Sequence, residues 1–445
     1  MLILIAVYIV LLIGIGIYDL KKIKGFDDFV VAGKKQSFGF VFLSLMASMI
    51  GASATIGIVD RVVLIGFPAF WWLGVGAVGL ILQSVLLSKK IRNLNANTLP
   101  DIANKTVGGA GKTLLALVIA VSWVGIVAAQ FVSITKIISI FISGVDTKTL
   151  LIIISLFVVI YTIVGGQLSV IKTDSIQSII IALGILFTFV YIFFFADGSN
   201  SFVGEETKLL NDKFNGMDLF NLLMITGGTY FLGPDIISRN LVSKDGKTAK
   251  KAALVSGISI AVFGVIIALI GLWAVNNIAD FGGENPLIYI MNNILPKPIA
   301  CLLCLALIST LLSSADTCLI NASSIIEYDI LKRDKVNEIR VIVGVLGIAS
   351  IIIALFKTDI ISLLMGAYSI YAPGVVFPLT FAILFHEKKD INKPMWLLAV
   401  LSGGICGILN SYFKVGFEFL PLTGMGISLV LSVLSIVVSK NKATE

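Results

Sequence analysis

The sequence predicts an all-α polytopic membrane protein with about thirteen transmembrane helices. Hydrophobic residues make up 58% and charged residues only 13% of its 445 residues, and no soluble core needs that much apolar sequence. Hydropathy divides the chain into runs near the ~20 residues that a helix needs to cross the hydrocarbon layer. The predicted spans are 2–19, 38–59, 66–88, 113–143, 149–165, 171–196, 217–238, 252–276, 298–331, 339–356, 359–385, 395–413 and 419–439.

The basic residues predict the orientation of these spans. With the N-terminus outside, one set of connections holds most of the 33 lysines and arginines, and an excess of basic residues marks cytoplasmic loops. The formal charge of +7 is therefore a sign of an N-out, C-in topology rather than of nucleic-acid binding. The first span has no basic segment before it and no clear small-residue cleavage site, which predicts a retained helix rather than a signal peptide.

Two of the predicted spans are interrupted by small residues, at Gly51–Gly57 and at Thr226–Pro234. Glycine weakens a helix and proline breaks it. A matched pair of interruptions indicates an inverted-repeat secondary transporter, and close helix packing is the alternative. No soluble module divides the chain, so we expect one membrane domain over 1–445. Its expected parts are a peripheral first helix (2–19), a first five-helix repeat with the start of the second (38–238), the second repeat (217–385) and two peripheral helices (395–439).

One polar stripe crosses an otherwise apolar span between residues 310 and 324. Its side chains recur at helical steps of three and four, and Asp316 lies among them. An aspartate at the middle of a membrane helix costs roughly 2.5–3.5 kcal/mol on insertion scales, so it needs a partner or a function. Oxygen ligands with one carboxylate predict a site for a small hard cation. The stripe consists of Thr310, Ser313, Ser314, Thr317, Asn321 and Ser324.

Other chemistries have little material in this chain. The four cysteines all fall in predicted spans, which favours neither a disulfide framework nor a zinc site. His386 is the only histidine, so histidine-based catalysis is not expected. Residues Gly108–Thr113 look like the end of a phosphate-binding loop, but Thr106 replaces its first glycine and no strand precedes it.

Several segments resemble, in this order, the motifs of the sodium:solute symporter family, which has the leucine-transporter type of fold. Leu312–Thr317 is similar to the signature M-S-T-A-D-S, and Gly165–Gln177 is similar to G-G followed by V-x-W-T-D-x-x-Q. Gly51–Gly57 resembles the broken first core helix of the family, and Gly233–Arg239 resembles the end of its sixth core helix. Tyr371–Pro378 resembles a later helix of the family with the pattern G/A-P-x-x-x-P. The resemblance covers almost the whole chain.

The resemblance implies a main sodium site between the broken first core helix and the eighth core helix. An unwound helix exposes carbonyl oxygens that have lost their intrahelical donors, and a cation satisfies them. The implied ligands are the backbone carbonyls of Ala52, Thr55 and Thr310 and the side-chain oxygens of Ser313 and Ser314.

Some family members have a second sodium position nearer the cytoplasm. The matching residues are Asp174, Asp316 and Thr317, together with Ser313, which also belongs to the main site. Ser313, Asp316 and Thr317 lie on one face of their helix. For Asp174 the alternative is a salt bridge to Lys172 or Arg239. For Asp316 the alternative is a packing hydrogen bond as a protonated acid.

The resemblance also implies a solute site between the two broken helices, near the membrane midplane. Family members that carry proline have an aspartate where this chain has Ala54 and a tryptophan where it has Thr226, so proline specificity is not implied. Gln130 has helix packing as an equal alternative. The expected contacts are Ser53, Ala54, Phe70, Trp71, Gln130, Thr226 and Tyr230.

Together these patterns predict a secondary active symporter that uses the sodium gradient to import a small polar organic solute by alternating access. Na⁺ is the expected coupling ion. The expected partners are Na⁺, the solute and the lipid bilayer, without nucleic acid or an evident obligate protein partner. The expected location is the cell membrane, as a multi-pass protein of a prokaryotic plasma membrane. The alternatives are the same fold coupled to protons, an intramembrane enzyme and a channel, and the identity of the solute stays open.

Overall fold

The computed structural model describes residues 2–20, 22–51, 53–139, 142, 144–200, 207–413 and 419–439. These residues form α-helices with short 3-10 and π segments and no β-sheet, which confirms the all-α prediction. The helices are α1 (Leu2–Leu20), α2 (Phe26–Val31), α3 (Phe38–Met49), α4 (Ile56–Ile65), α5 (Trp71–Leu86), α6 (Ser88–Asn93), α7 (Leu99–Thr106), α8 (Gly109–Ile138), α9 (Thr147–Val164), α10 (Gln167–Phe194), α11 (Gly216–Leu222), α12 (Gly228–Leu232), α13 (Pro234–Val242), α14 (Gly246–Asn277), α15 (Pro286–Tyr289), α16 (Lys297–Ile325), α17 (Val336–Phe356), α18 (Ile360–Phe385), α19 (Lys393–Phe413) and α20 (Leu420–Val437).

Within the described residues, ten helical segments are long and apolar enough to cross a membrane. They correspond to α5, α8, α9, α10, α14 and α16 to α20, and they agree closely with ten of the predicted spans. The apolar stretches Ile3–Asp19 of α1 and Phe38–Met49 of α3 are shorter. The protein is therefore a polytopic membrane protein.

Two predicted spans are not continuous helices. Between α3 and α4 the backbone leaves the helical region at Ile50 (φ −90°, ψ 71°) and at Thr55 (φ −112°, ψ −83°). The span predicted at 217–238 is built from α11, a π-helical segment at Leu223–Gly227, α12 and α13. Here the chain stays helical as far as Leu232, so the break is narrower than expected and falls at Gly233 (φ −65°, ψ 146°).

Helix α16 lies at the centre of the bundle. It packs against α3, α8, α9, α10 and α17, and 72% of its most apolar stretch is buried inside the protein, against 33% for α19. Its polar stripe therefore faces protein rather than lipid.

Helix α1 is attached to the bundle by polar contacts. The hydroxyl of Tyr8 lies 2.6 Å from Oγ of Ser309 on α16. Nζ of Lys172 donates to Asp19 at 2.5 Å, so this lysine is not the partner of Asp174. A helix at the edge of the fold is thus joined to the central helix α16.

Candidate ion and solute site

The backbone of the first helix break, between α3 and α4, packs directly against α16. The amide of Ala54 and the hydroxyl of Thr55 both donate to the carbonyl of Gly51, at 3.1 and 3.2 Å. A Cβ atom on Gly51 would lie 3.2 Å from Oγ of Ser314, so the lack of a side chain permits this approach. Ala52, a predicted ligand, lies outside the described residues.

The two neighbouring serines of the stripe have different partners. Oγ of Ser314 donates to the carbonyl of Thr310 at 2.9 Å, on the side that faces Gly51. Oγ of Ser313 donates to Oδ1 of Asp174 at 2.6 Å. A hydroxyl that donates one hydrogen keeps lone pairs for a cation, so both serines retain ligand capacity.

The second break lies at Gly233, where side chains from neighbouring helices bind the carbonyls around it. Nε2 of Gln83 on α5 donates to the carbonyl of Phe231 at 2.7 Å. The hydroxyl of Tyr371 on α18 donates to the carbonyl of Leu232 at 2.6 Å. Sequence reasoning missed both donors, although a glutamine in an apolar run and a tyrosine opening the late proline motif were signals. The carbonyls before this break are satisfied by the protein itself.

Asp174, on α10, is the centre of a buried cluster that joins both broken helices to the scaffold. Its Oδ2 accepts from Oγ of Ser44 at 2.5 Å and from Nη2 of Arg239 at 2.7 Å, and its Oδ1 accepts from Ser313. Arg239 also donates to Ser44 at 2.9 Å and to Oγ1 of Thr317 at 2.8 Å. All of these side chains are almost fully buried. The salt-bridge alternative for Asp174 is therefore present, with Arg239 as the partner.

Asp316 has a different environment from Asp174. It lies one turn beyond Ser313 on α16 and is fully buried, and no lysine or arginine of the described residues forms a salt bridge with it. Of the residues that match the second sodium position, Asp174 and Thr317 bind Arg239, and Asp316 lies close to this group on α16.

Two cavities flank α4. One has a volume of about 380 Å³ and reaches the first break at Ser53. The other has a volume of about 210 Å³ and reaches Trp72 and Met365. Charged side chains line both cavities. They are Asp60, Lys136, Glu284 and Asp359 in the larger one, and Arg61, Lys213 and Asp218 in the smaller one.

Four other expected solute contacts are buried or half-buried between the helices. Ala54 is fully buried, and Gln130 is 6% exposed with its Oε1 unpaired to any described residue. Oγ1 of Thr226 lies 3.8 Å from the sulfur of Met365, so this threonine touches a residue of the smaller cavity. Tyr230 packs its ring over Gly76 on α5.

The two aromatic residues expected at the site pack elsewhere. The ring of Phe70 lies against Gly264 on α14. Nε1 of Trp71 donates to the carbonyl of Leu209 at 2.9 Å, which ties it to the connection before α11. The neighbouring Trp72 lines the smaller cavity instead.

A polytopic helical bundle with two broken helices around a buried polar layer is typical of a secondary membrane transporter. The chain belongs to the sodium:solute symporter family, whose profile matches residues 29–396. It is therefore a sodium-coupled symporter of the cell membrane, with Na⁺ as the coupling ion and a small-molecule solute as cargo. The prediction of sodium symport is confirmed, in preference to the proton-coupled, enzyme and channel alternatives.

Two relatives match most of the chain at low identity. The sodium/glucose cotransporter of Vibrio parahaemolyticus is 23% identical over 94% of this chain and 85% of its own length. Sodium/proline symporter 2 of Staphylococcus saprophyticus is 26% identical over 92% and 85%. These two relatives carry different solutes, so the similarity leaves the solute of this chain open.

Solved structures share the fold. A Na⁺-coupled sialic acid symporter in a substrate-bound outward-open state superposes with a TM-score of 0.78, at 17% identity, over 99% of this chain and 98% of that one. Mhp1, a nucleobase-cation-symport-1 family transporter in a closed conformation, gives 0.61 at 14% identity, over 91% and 93%.

Proposed function

We propose that this symporter crosses the membrane thirteen times, with its N-terminus outside and its C-terminus inside. The ten long helices, helix α1 and the two broken units α3–α4 and α11–α13 together supply thirteen crossings. The uneven distribution of lysine and arginine supports this orientation. The broken units would begin two inverted repeats, within 38–238 and 217–385, and α19 and α20 would be peripheral. An impermeant thiol reagent should label a cysteine placed at Lys213 from outside, and one placed at Lys247 only from inside.

The main sodium ion, in this proposal, binds where the first break meets α16. The observation that carries it is the close approach of the Gly51 backbone to Oγ of Ser314. The Ser314 hydroxyl and the Thr310 carbonyl would bind the ion from α16, and Ser313 would join them while still donating to Asp174. The carbonyl of Thr55, which accepts from the Val59 amide at 3.2 Å, would also bind the ion. The carbonyl of Ala52 completes the proposed set.

The Arg239 cluster would close the inner side of the transporter. It ties α3 and α13, the inner halves of both broken units, to α10 and α16 through charge-assisted hydrogen bonds. Sodium would stabilise the outward-open arrangement of the broken helices, and the solute would then bind to this arrangement. Opening to the inside would then separate Arg239 from these partners, so that transport follows from differential affinity of two states.

A small polar organic solute would enter through the cavity at Ser53. Its volume of about 380 Å³ falls within the range of small-molecule sites, and its charged and hydroxyl lining suits a polar solute. Deeper contacts would come from Ala54, Gln130, Thr226 and Tyr230. Phe70 and Trp71 would support the site from outside it, because they pack on α14 and on the connection before α11.

The test compares Ser314→Ala with Ser432→Ala in the purified protein. Ser432, on α20, is also buried and also donates to the carbonyl four residues earlier, at 2.6 Å. Replacing choline with sodium should raise the thermal unfolding midpoint of the wild type and of Ser432→Ala. That rise should be largely lost in Ser314→Ala, and an unchanged rise would contradict the site. Screening small solutes in the same sodium-dependent assay would identify the cargo.

A further inference from the structure

An apolar groove with a volume of about 250 Å³ lies between α5 and α18, over the second broken unit. Its described lining holds one polar side chain, that of Thr380, whose hydroxyl donates to the carbonyl of Val376 at 2.5 Å. No side chain of this lining therefore has a free hydrogen-bond donor, and water or a polar solute has little to bind there. The occupant of the groove should be apolar.

Glycines bring the walls of the groove together without filling it. A Cβ atom on Gly79 of α5 would lie 2.7 Å from the carbonyl oxygen of Gly227, and one on Gly228 would lie 3.2 Å from a methyl carbon of Val376 on α18. Small residues allow helix backbones in a membrane to approach this closely. Because Gly227 and Gly228 carry no side chains, the second broken unit forms a low floor between the two long helices.

The groove opens toward the lipid. Val78, Leu82 and Leu86 recur at steps of four along α5, line the groove and are 36%, 47% and 41% exposed. Both α5 and α18 belong to segments that are long and apolar enough to cross the membrane, so these exposed side chains face hydrocarbon. Val78 and Leu86 are about 12 Å apart along the helix axis, which is close to half of the ~30 Å hydrocarbon core. The groove is therefore continuous with the surface that lipid tails cover.

The size of the groove favours a lipid chain over a second protein helix. A helix with its side chains is about 10–12 Å across, so a helix from a second copy of the chain could cover this groove but not fill it. A single acyl chain is narrower and can follow the groove along its length. An empty groove would leave its lining atoms without dispersion contacts on one side, and a lipid tail supplies those contacts.

Basic residues lie where the headgroup of such a lipid would be. Lys90 follows Leu86 at the next step of four, about 6 Å further along the axis, and Lys89 precedes it. Neither lysine forms an ion pair with a described residue, and the sequence holds no acidic residue between Asp60 and Asp101. Helix α6, which carries both lysines, also contacts α18. Positive charge just beyond the hydrocarbon attracts the anionic headgroups of the cytoplasmic leaflet.

We propose that the groove binds one acyl chain of an anionic phospholipid, whose phosphate contacts Lys89 and Lys90. The choice of the cytoplasmic leaflet rests on the proposed topology, in which α5 and α18 both end inside. The bound chain packs on Gly227 and Gly228 and so supports the second broken unit from its lipid-facing side.

The test is photo-cross-linking of the full chain in liposomes that contain phosphatidylglycerol with a diazirine group in its acyl chain. Met224 and Phe377 line the groove, whereas Leu398 and Ile405 are exposed on α19. Peptide mass spectrometry should find the first pair labelled severalfold more than the second pair, because the chain stays longer in the groove than on an open helix face.

A pair of variants on α5 tests whether the groove itself holds the chain. Val78→Phe narrows the groove and should remove the excess labelling. Val85→Phe, on the same helix but outside the groove and 62% exposed, is the matched control and should keep it. If Val78→Phe does not fold, Leu82→Phe narrows the groove one turn further along and takes its place.

A competition experiment tests the headgroup. Unlabelled phosphatidylglycerol should reduce the labelling of the groove severalfold more than phosphatidylcholine does. The double variant Lys89→Gln/Lys90→Gln should lose this preference, whereas Lys332→Gln, at an exposed position after α16, should keep it.

Three results would overturn this proposal. They are groove labelling no higher than that of α19, equal competition by the two lipids, and cross-links from the groove to a second copy of the chain in place of lipid. The readout does not involve sodium, and cysteine labelling at positions 213 and 247 tests the topology by itself. Failure of the lipid site is therefore distinct from failure of the proposed function.

Discussion

The two helix breaks differ in what binds their carbonyls. At the second break, Gln83 and Tyr371 donate to the carbonyls of Phe231 and Leu232. At the first break, the donors to the Gly51 carbonyl come from the break itself, and α16 presents a serine oxygen. Neighbouring helices supply the donors at the second break, whereas at the first break the backbone itself lies close to the Ser314 oxygen.

This difference indicates a division of roles between the broken units. Unwound backbone beside hydroxyl oxygens suits a small cation, so we expect sodium to stabilise the first break. We expect the second break, whose carbonyls are bound by Gln83 and Tyr371, to respond little to sodium. The variants below test this contrast, from the largest expected effect to the smallest.

The largest effect is expected at Arg239, which the two broken units share. Arg239→Leu leaves the buried Asp174 carboxylate without its charge partner, and breaking a buried ion pair in this way costs about 3–5 kcal/mol. We expect a strongly lowered unfolding midpoint, both with and without sodium. Arg340→Leu, at a half-buried position outside the cluster, is the control. Equal stability of the two variants would show that Arg239 does not hold the broken units.

A smaller loss is expected at the second break itself. A Cβ atom on Gly233 would lie 2.6 Å from the carbonyl oxygen of Thr229, and backbone atoms cannot move aside cheaply. Gly233→Ala should therefore destabilise the protein by roughly 3 kcal/mol. Gly39→Ala, on α3, meets nothing within 4 Å and should have no such cost. Thermal unfolding of both variants measures this difference. Equal unfolding midpoints would show that a side chain at position 233 meets no such clash.

Removing one donor at the second break should cost less again. Tyr371→Phe leaves the buried carbonyl of Leu232 unpaired, which costs about 2 kcal/mol. The increase in stability produced by sodium should stay as in the wild type, because the ion binds at the other break. A loss of the sodium effect in this variant would mean that the two breaks are not separate in role.

The smallest effect on stability is expected at Gly51. Gly51→Ala places a methyl group 3.2 Å from Oγ of Ser314, which a small shift of the hydroxyl relieves at about 1 kcal/mol or less. The sodium concentration for half-maximal stabilisation should rise severalfold, because the break moves away from α16. Sodium titrations of unfolding measure this, and an unchanged midpoint concentration would place the ion elsewhere.

Much of this architecture could be predicted from sequence. Hydropathy located the long helices because each must bury about 20 apolar residues in lipid. Glycine and proline located both interruptions, and the spacing from Thr310 to Ser324 located the polar face of α16. These features depend only on residues close together in the chain.

The contacts between distant residues could not be predicted in this way. Tyr8 and Ser309 are 301 positions apart, and nothing local to either shows that they meet. The donors at the second break, Gln83 and Tyr371, were missed for the same reason. The choice of Arg239 rather than Lys172 as the partner of Asp174 also depends on helix packing, because both were open alternatives from spacing alone.

Hydrogen–deuterium exchange of the two breaks, with sodium and with choline, tests the central contrast most directly. Sodium should slow exchange of the amides in 53–59, because the ion would order this segment. Exchange in 229–237, where the protein supplies the donors, should change little. Equal protection of both segments by sodium, or protection of the second alone, would contradict this division of roles between the two breaks.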